Sequence, residues 1–230
     1  MSKKIDKTIY VGLLLLLALL PFHAFLKTWF SALLTETNID YLSAGSFMIG
    51  AWKEGLVLLL LMLFLFKVFL ERKLPFKLEA FDYAVLAFFG ILLVSPLWTE
   101  FNFKAYVWGI KTDATFLLIY FLARSVSWNE KRIKQALNVL LTVAAVVIVF
   151  GLLLYFLLPP DFLQHFGYTP YISSYVDYKP LPFVHGVGDN LEIPRLASTL
   201  SGPNQLGTYL LIILGLLLGI MFSNLSLIHI

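Results

Sequence analysis

Polar side chains gather in one short stretch of an otherwise apolar chain, at positions 195–207, RLASTLSGPNQLG. The stretch holds one arginine, three hydroxyl residues and two amides, and it lies directly before an apolar run. Ser201 or Gly202 is placed to cap a helix that begins there, and Pro203 suits the first turn of that helix. A helix start presents unpaired backbone N–H groups and the positive end of the helix dipole. The stretch therefore predicts an anion site.

Four side chains extend that predicted anion site. Arg195 carries a planar guanidinium that matches two phosphate oxygens at once. Asn204 and Gln205 add amide donors, and Ser201 adds a hydroxyl group. The residue types favour a phosphate or pyrophosphate ligand, with Arg195 as its main contact. A second interpretation stays open, in which the turn only caps the helix and the arginine contacts lipid headgroups.

Two lysines occupy positions where a charge is costly. Lys53, beside Glu54, begins one apolar run, and Lys111 lies within another, two positions before Asp113. Charges inside a membrane span usually face the interior of a helix bundle or a wet cavity. Lys53 can instead extend its stem to the headgroups. For Lys111, a functional role and a structural ion pair with another helix both stay open. Both lysines are further candidates for pyrophosphate binding.

The composition indicates a membrane protein. Of the 230 residues, 60% are hydrophobic and only 13% are charged, well below the quarter that is typical of soluble domains. The apolar residues fall in blocks of about 20, a length that crosses a bilayer as a helix. The chain has no cysteine and only four histidines, which are scattered. We therefore predict no disulfide, no metal site and no cofactor, and the pattern gives no indication of a nucleic-acid partner.

The predicted fold class is an all-α, polytopic membrane helix bundle with six spans. Helices are expected because backbone groups have no water to bond within lipid. The first span is predicted to be retained, because no small-residue cleavage site follows it. The sequence shows no interrupted helix. The six predicted spans are Ile9–Leu26, Phe47–Leu70, Ala80–Leu97, Ala105–Ala123, Leu137–Leu158 and Leu206–Phe222.

The distribution of positive charge predicts the orientation. With the N-terminus in the cytoplasm, eleven of the 17 lysines and arginines fall on the inner side. The positive-inside rule therefore favours that orientation. The longest loop, 159–194, is then on the outer face and leads directly to Arg195. Its seven aromatic residues form either an interfacial belt or a platform on which sugar rings stack.

The segment Arg195–Leu211, RLASTLSGPNQLGTYLL, resembles the membrane-embedded O-antigen ligase and polymerase family. Members of that family carry an arginine, a small and hydroxyl-rich turn, then Pro-Asn and a helix. Residues 52–54, WKE, and 108–113, WGIKTD, give further support, because relatives often have a basic-x-acidic element at the second position. The serial span pattern fits the whole chain, but the diagnostic motif covers less than a tenth of it.

The resemblance implies an inverting glycosyltransferase that needs neither a metal nor a nucleotide sugar. Its donor would be a glycan on undecaprenyl pyrophosphate, and its acceptor a lipid A-core sugar, another glycan or a protein hydroxyl. Arg195 carries over as the family's arginine on the donor pyrophosphate, where it would neutralise the leaving group. A chain polymerase of the same family is an alternative. A non-enzymatic membrane transporter of an anionic lipid or solute is another, since such proteins also build anion sites from helix ends.

The chain also departs from the family pattern. Members have more than six spans and a second large outer loop with a histidine that is thought to assist the acceptor. His185 lies in the earlier loop, so that role is not carried over to it. The final residues, 225–230, LSLIHI, match one reading frame of a transposon end that is used in sequencing libraries. We therefore expect a single transmembrane domain over 1–224, the inactive N-terminal half of a larger enzyme, followed by a non-native tail.

Overall fold

The computed structural model describes residues 2–34, 50–97, 102–159, 162–168, 183–187 and 191–228. Within these residues, helices dominate, and the remaining regular structure is one β-hairpin and three short 3-10 segments. The helices are α1 (Ser2–Leu19), α2 (His23–Leu34), α3 (Trp52–Glu71), α4 (Ala80–Val94), α5 (Phe103–Arg124), α6 (Glu130–Phe156) and α7 (Pro203–Ile228). The hairpin joins β1 (Phe183–Val187) to β2 (Leu191–Arg195).

Among the described residues, four helical segments are long and apolar enough to cross a membrane. They are Ser2–Leu33, Ala80–Leu97, Glu130–Phe156 and Pro203–Phe222. The predicted class of a helical membrane protein is therefore supported in its coarse form. Helices α3 and α5 coincide with the second and fourth predicted spans, although residues 47–49 lie outside the described chain. Neither helix is among the four strongly apolar segments, because α3 carries charged residues at both ends and α5 carries Lys111 and Asp113 near its middle.

The predicted all-α class holds for most of the described residues, which also include one short hairpin, in which Phe183 pairs with Arg195 and Val187 with Leu191. The expectation of uninterrupted helices fails in the first span, because a 3-10 segment, Leu20–Phe22, separates α1 from α2. Pro21 lies in this segment. A proline has no N–H to donate and its ring clashes with the preceding turn, so a regular α-helix does not continue through it.

Side chains near the helix ends explain several boundaries. The Asn129 side chain accepts the N–H of Arg132 at 2.9 Å, which caps the start of α6. The N–H of Glu79 donates to Asp82 Oδ2 at 2.7 Å, half of a reciprocal cap at the start of α4. At the other end of α3, Arg72 takes a left-handed conformation with φ of 51°, which terminates the helix.

The chain divides into two compact units. Unit 1 comprises Met1–Leu16 and Ala51–Ile133, and unit 2 comprises Leu17–Gly50 and Lys134–Ile230. Buried apolar side chains such as Ile9, Leu60 and Leu122 form the interior of unit 1. The core of unit 2 centres on Val143, Val147 and Leu206. The single domain predicted over 1–224 is not tested by this division and stays a prediction.

Within unit 1, α3 and α5 run in the same direction. Glu54 near the start of α3 contacts Lys111 of α5, and Lys67 near its end contacts the carbonyl of Ser125, just after α5. Between Glu54 and Lys67 the helix rises by about 20 Å. Helices α4 and α5 are antiparallel neighbours, because the Tyr106 hydroxyl donates to the carbonyl of Leu93 at 2.8 Å. Unit 1 thus has two polar ends separated by an apolar middle.

Candidate functional site

Two of the three hydroxyl residues in the stretch 195–207 are buried anchors. Ser198 is 5% exposed, and its hydroxyl donates to the carbonyl of Val147 in α6 at 2.6 Å. Thr199 is 3% exposed, and its hydroxyl donates to the carbonyl of Pro21 at 3.0 Å. These bonds fix the turn against two other segments of unit 2. We therefore interpret Ser198 and Thr199 as residues that hold the turn in place.

Close packing also holds this turn. Leu196 and Leu200 pack against the unit 2 core. Gly151 of α6 leaves room for Leu196 and Ser198: a Cβ atom placed there would lie 3.0 Å from Leu196 Cδ2 and 3.3 Å from Ser198 Cβ. Ser198 also takes a φ of 53°, a left-handed conformation that is uncommon for a residue other than glycine. The turn is held tightly enough to maintain that conformation.

The remaining polar residues of the stretch face solvent at the start of α7. Ser201, Asn204 and Gln205 are exposed, and Gly202 beneath them is buried. Helix α7 begins at Pro203, as predicted, and the carbonyl of Gly202 accepts the N–H of Leu206 at 3.1 Å. The first turn therefore presents backbone N–H groups of the kind that bind anions. We call Ser201, Asn204, Gln205 and this first turn the helix-start site.

Arg195 is the last residue of β2, and Leu196 to Gly202 connect it to the helix-start site. His185 is the third residue of β1, and its backbone pairs with Ile193. The structure therefore places Arg195 at the end of a strand that leads into the anchored turn. The hairpin was not predicted from the sequence.

Lys53 and Lys111 meet around one carboxylate in unit 1. Lys111 Nζ lies 3.2 Å from Glu54 Oε1, and Lys53 Nζ lies 3.9 Å from the same oxygen. The three side chains are each between about a fifth and a third exposed. The Lys111–Glu54 contact is an ion pair between two helices, which is one of the two roles that the sequence left open for Lys111. Asp113 points elsewhere and is exposed, in accordance with its spacing.

Sequence reasoning missed a second polar group, at the other end of unit 1. Asp6 of α1 is 7% exposed and Lys67 of α3 is 4% exposed, and Lys67 Nζ donates to Asp6 Oδ1 at 3.1 Å. Lys67 also donates to the carbonyl of Ser125 at 3.0 Å. The N–H and hydroxyl of Ser127 both donate to Asp6 Oδ1. Buried charges need such partners, because an unpaired charge in an apolar interior is costly.

A second cation completes this group. Arg132 Nη1 donates to Asp6 Oδ2 at 2.6 Å and to the carbonyl of Ser127 at 2.8 Å. The guanidinium also lies over the ring of Tyr10, 4.8 Å from its centroid. We call Asp6, Lys67, Ser125, Ser127 and Arg132 the Asp6 cluster. In the sequence, the Asp6 cluster is indicated only by Asp6, an acidic residue among the lysines of α1, and by Lys67, a lysine in the apolar run of α3.

A third polar group joins α4 to α5. Asp82 is fully buried and accepts the Tyr120 hydroxyl at 2.6 Å and Arg124 Nη2 at 3.0 Å. Arg124 also lies 3.5 Å from Glu79 Oε1 and over the ring of Phe76. Every charged partner in this group belongs to the same helical hairpin. The group is therefore interpreted as structural.

Part of the aromatic loop is packed into unit 2. Phe166 and Tyr168 lie 5.1 Å and 6.3 Å from the ring of Phe25, and Tyr168 is 8% exposed. Burial raises the pKa of Tyr168 to about 12, so its hydroxyl stays neutral at physiological pH. Tyr168 is therefore a core residue, and Phe166 packs beside the same ring. Tyr171, Tyr175 and Tyr178 lie outside the described residues.

Among the described residues, no group of histidine and carboxylate side chains has the arrangement of a metal site. The helix-start site offers neutral hydrogen-bond donors and a helix dipole, which suit an anionic ligand. No protein-family model, curated protein or solved structure matches this chain.

Proposed function

We propose that the chain is an O-antigen ligase-like glycosyltransferase of the cytoplasmic membrane. It moves a glycan from undecaprenyl pyrophosphate to a lipid A-core sugar, another glycan or a protein hydroxyl on the outer face. The reaction is an inverting transfer that uses no metal. The proposal rests on the resemblance of Arg195–Leu211 to that family and on one structural observation.

That observation is the difference in burial among the hydroxyl and amide side chains of one turn and the helix start that follows it. Ser198 and Thr199 are buried and bonded to the backbone of other segments, whereas Ser201, Asn204 and Gln205 are exposed at the start of α7. An anion site works best when its donors are fixed before the ligand arrives. The anchored turn supplies this fixation. It supports the proposal because Ser201 and Gln205 are exposed directly after a turn that buried hydrogen bonds hold in place.

The proposed mechanism is electrostatic. The pyrophosphate gains negative charge as the glycosidic bond to it breaks. The guanidinium of Arg195, with the N–H groups of the helix-start site, stabilises that growing charge. Lys53 and Lys111 were further candidates for this task. Both contact Glu54, and their part in binding the pyrophosphate stays a prediction.

The proposed topology has six spans, with the N-terminus in the cytoplasm and the loop 159–194 outside. Eleven of 17 basic residues then lie on the inner side. A reporter fused at Tyr175, a position outside the described residues, is expected to be active on the outer face. Activity of the same fusion in the cytoplasm would contradict the orientation.

The central experiment measures glycan transfer by the native gene product in cells that lack any other ligase. Arg195→Ala is expected to lower transfer by about 100-fold or more, the usual effect of losing one preorganised charge-stabilising group. Arg195→Lys is expected to restore little, because an ammonium does not reproduce the planar fork. The amount of protein inserted in the membrane should equal that of the wild type in both variants.

Two controls make the result specific. Ser201→Ala combined with Asn204→Ala removes exposed donors from the helix-start site, and is expected to weaken transfer less than Arg195→Ala. Lys131→Gln removes an exposed positive charge at the start of α6 and should leave transfer unchanged. Wild-type transfer by Arg195→Ala would exclude Arg195 from the mechanism. A product ladder that grows in repeat units would identify the polymerase of the same family.

One observation favours the transporter as a second candidate. The 3-10 segment at Leu20–Phe22 interrupts the apolar segment Ser2–Leu33 near its middle. Interrupted helices build anion sites in secondary transporters. Purified protein in liposomes distinguishes the two: a transporter moves an anionic solute or lipid across the bilayer without any glycosidic bond being broken. A glycosyltransferase consumes the lipid-linked donor.

A further inference from the structure

A cavity of about 750 Å³ opens beside the Asp6 cluster. Its walls come from the beginning of α1, the end of α3, the loop that follows α3 and the beginning of α6. All of these segments belong to unit 1. Five basic side chains line the cavity: Lys3, Lys67, Lys73, Lys77 and Arg132.

The innermost wall carries more positive than negative charge. The carboxylate of Asp6 contacts both Lys67 and Arg132, at 3.1 Å and 2.6 Å. One negative charge therefore faces two positive charges in a largely buried position. The other lining carboxylate, Glu71, accepts the hydroxyl of Ser2. An additional anion would balance the excess positive charge.

The outer wall carries three lysines without a counterion. Lys3, Lys73 and Lys77 are exposed, and within the described part of the chain none of them forms an ion pair. Like charges that converge on one cavity repel each other, and the repulsion is strong where the walls lower the dielectric constant. A bound anion converts this repulsion into attraction.

The cavity also has an apolar border. Leu74, Pro75 and Phe76 line it between the two loop lysines, and Leu74 is 48% exposed. A small inorganic anion needs no such border. An amphiphile with a phosphate group would place its charged head among the lysines and its first methylene groups along this edge.

We propose that this cavity binds a phosphate monoester, carried by an anionic lipid or by a soluble metabolite. Basic pockets between membrane helices are suited to phosphate headgroups, because each nearby lysine or arginine contributes about 1 kcal/mol of attraction. Arg132 adds the planar geometry that phosphate oxygens accept. The proposal concerns the end of unit 1 that holds the Asp6 cluster and is independent of the role of Arg195.

The test compares two double variants of the full chain, purified in phosphatidylcholine nanodiscs. Lys73→Gln with Lys77→Gln removes two lining charges. Lys4→Gln with Lys7→Gln removes the same charge from exposed positions of α1 that do not line the cavity. All four side chains are exposed, so both variants should fold as the wild type does, which gel filtration verifies.

Two probes carry the same phosphate chemistry. Phosphatidic acid is incorporated into the nanodisc and its bound copies are counted by native mass spectrometry, while glycerol 3-phosphate is titrated by calorimetry. Lys73→Gln with Lys77→Gln is expected to weaken binding by about 25-fold, about fivefold for each lysine. The control variant should change binding by less than about twofold.

The two probes distinguish the source of the phosphate. Binding of phosphatidic acid alone identifies a lipid headgroup, and binding of both probes with the same loss identifies a soluble phosphate ester. The proposal is overturned if neither probe binds saturably. It is also overturned if the control variant loses as much affinity as the cavity variant, since binding would then reflect only the net charge of the protein.

Discussion

The Asp6 cluster and the helix-start site use polar residues in opposite ways. In the Asp6 cluster, the charged groups are largely buried and bonded to one another, with Asp6 accepting from two cations and from Ser127. In the helix-start site, Ser201, Asn204 and Gln205 are exposed, and the buried bonds lie one turn earlier, at Ser198 and Thr199. The first arrangement fixes helices in place, and the second leaves Ser201 and Gln205 exposed beside a fixed turn.

The comparison separates polar residues that stabilise the fold from polar residues that can bind a ligand. A buried charge that is paired with an opposite charge contributes mainly to the specificity of helix packing. Its removal should therefore destabilise the fold. An exposed donor on a fixed turn contributes little to folding, and its removal should damage binding. Three sets of variants test this distinction, and they are given in order of decreasing expected effect on stability.

The largest effect is expected for Asp6→Asn. This change leaves Lys67 and Arg132 without their counterion and should lower the free energy of unfolding by about 3 kcal/mol, within the range for breaking a buried ion pair. Unfolding in mixed micelles of mild detergent and sodium dodecyl sulfate measures it. Asp113→Asn, the same change at an exposed position, should have an effect below about 0.5 kcal/mol. Equal effects of the two changes would show that the Asp6 cluster does not support the fold.

A smaller effect is expected within the turn itself. Ser198→Ala removes the bond to the carbonyl of Val147 and should cost about 1 kcal/mol of unfolding free energy. Ser201→Ala, three positions along, removes an exposed hydroxyl and should change stability by less than about 0.5 kcal/mol. Both variants are measured by the same unfolding titration. If Ser201→Ala proves the more destabilising, Ser201 is a structural residue and the helix-start site loses one donor.

The smallest effect is expected for the pair of Lys111 and Glu54. The side chains are 32% and 21% exposed, so solvent screens their attraction. A double-mutant cycle with Lys111→Gln and Glu54→Gln should give a coupling energy of about 0.5 kcal/mol. A coupling near zero, together with a loss of glycan transfer in Lys111→Gln, would favour Lys111 as a ligand of the pyrophosphate instead of a partner of Glu54.

The local chemistry of several elements was readable from residue types alone. Pro203 after Ser-Gly predicts a helix start, and α7 begins at that residue. The length of the apolar blocks predicts membrane-crossing helices, and four segments have the required length and composition. These predictions succeed because they depend on neighbours in sequence, through capping, backbone sterics and hydrophobic length.

Contacts between residues that are far apart in sequence could not be predicted in the same way. Asp6 is separated from Lys67 by 61 positions and from Arg132 by 126 positions, and nothing in either local pattern selects these partners. The roles of Ser198 and Ser201 also look alike in sequence, yet one is buried and the other exposed. Only the packing of α6 against the turn, with Gly151 leaving space for Leu196, separates them.

Composition and local backbone chemistry are enough to predict a membrane environment, the approximate extent of the helices and the start of α7. The tertiary structure alone decided which charges pair and which hydroxyl groups are buried. The physical reason is that a charge pair or a buried hydrogen bond forms wherever the folded chain brings its partners within about 3 Å, whatever their separation in sequence.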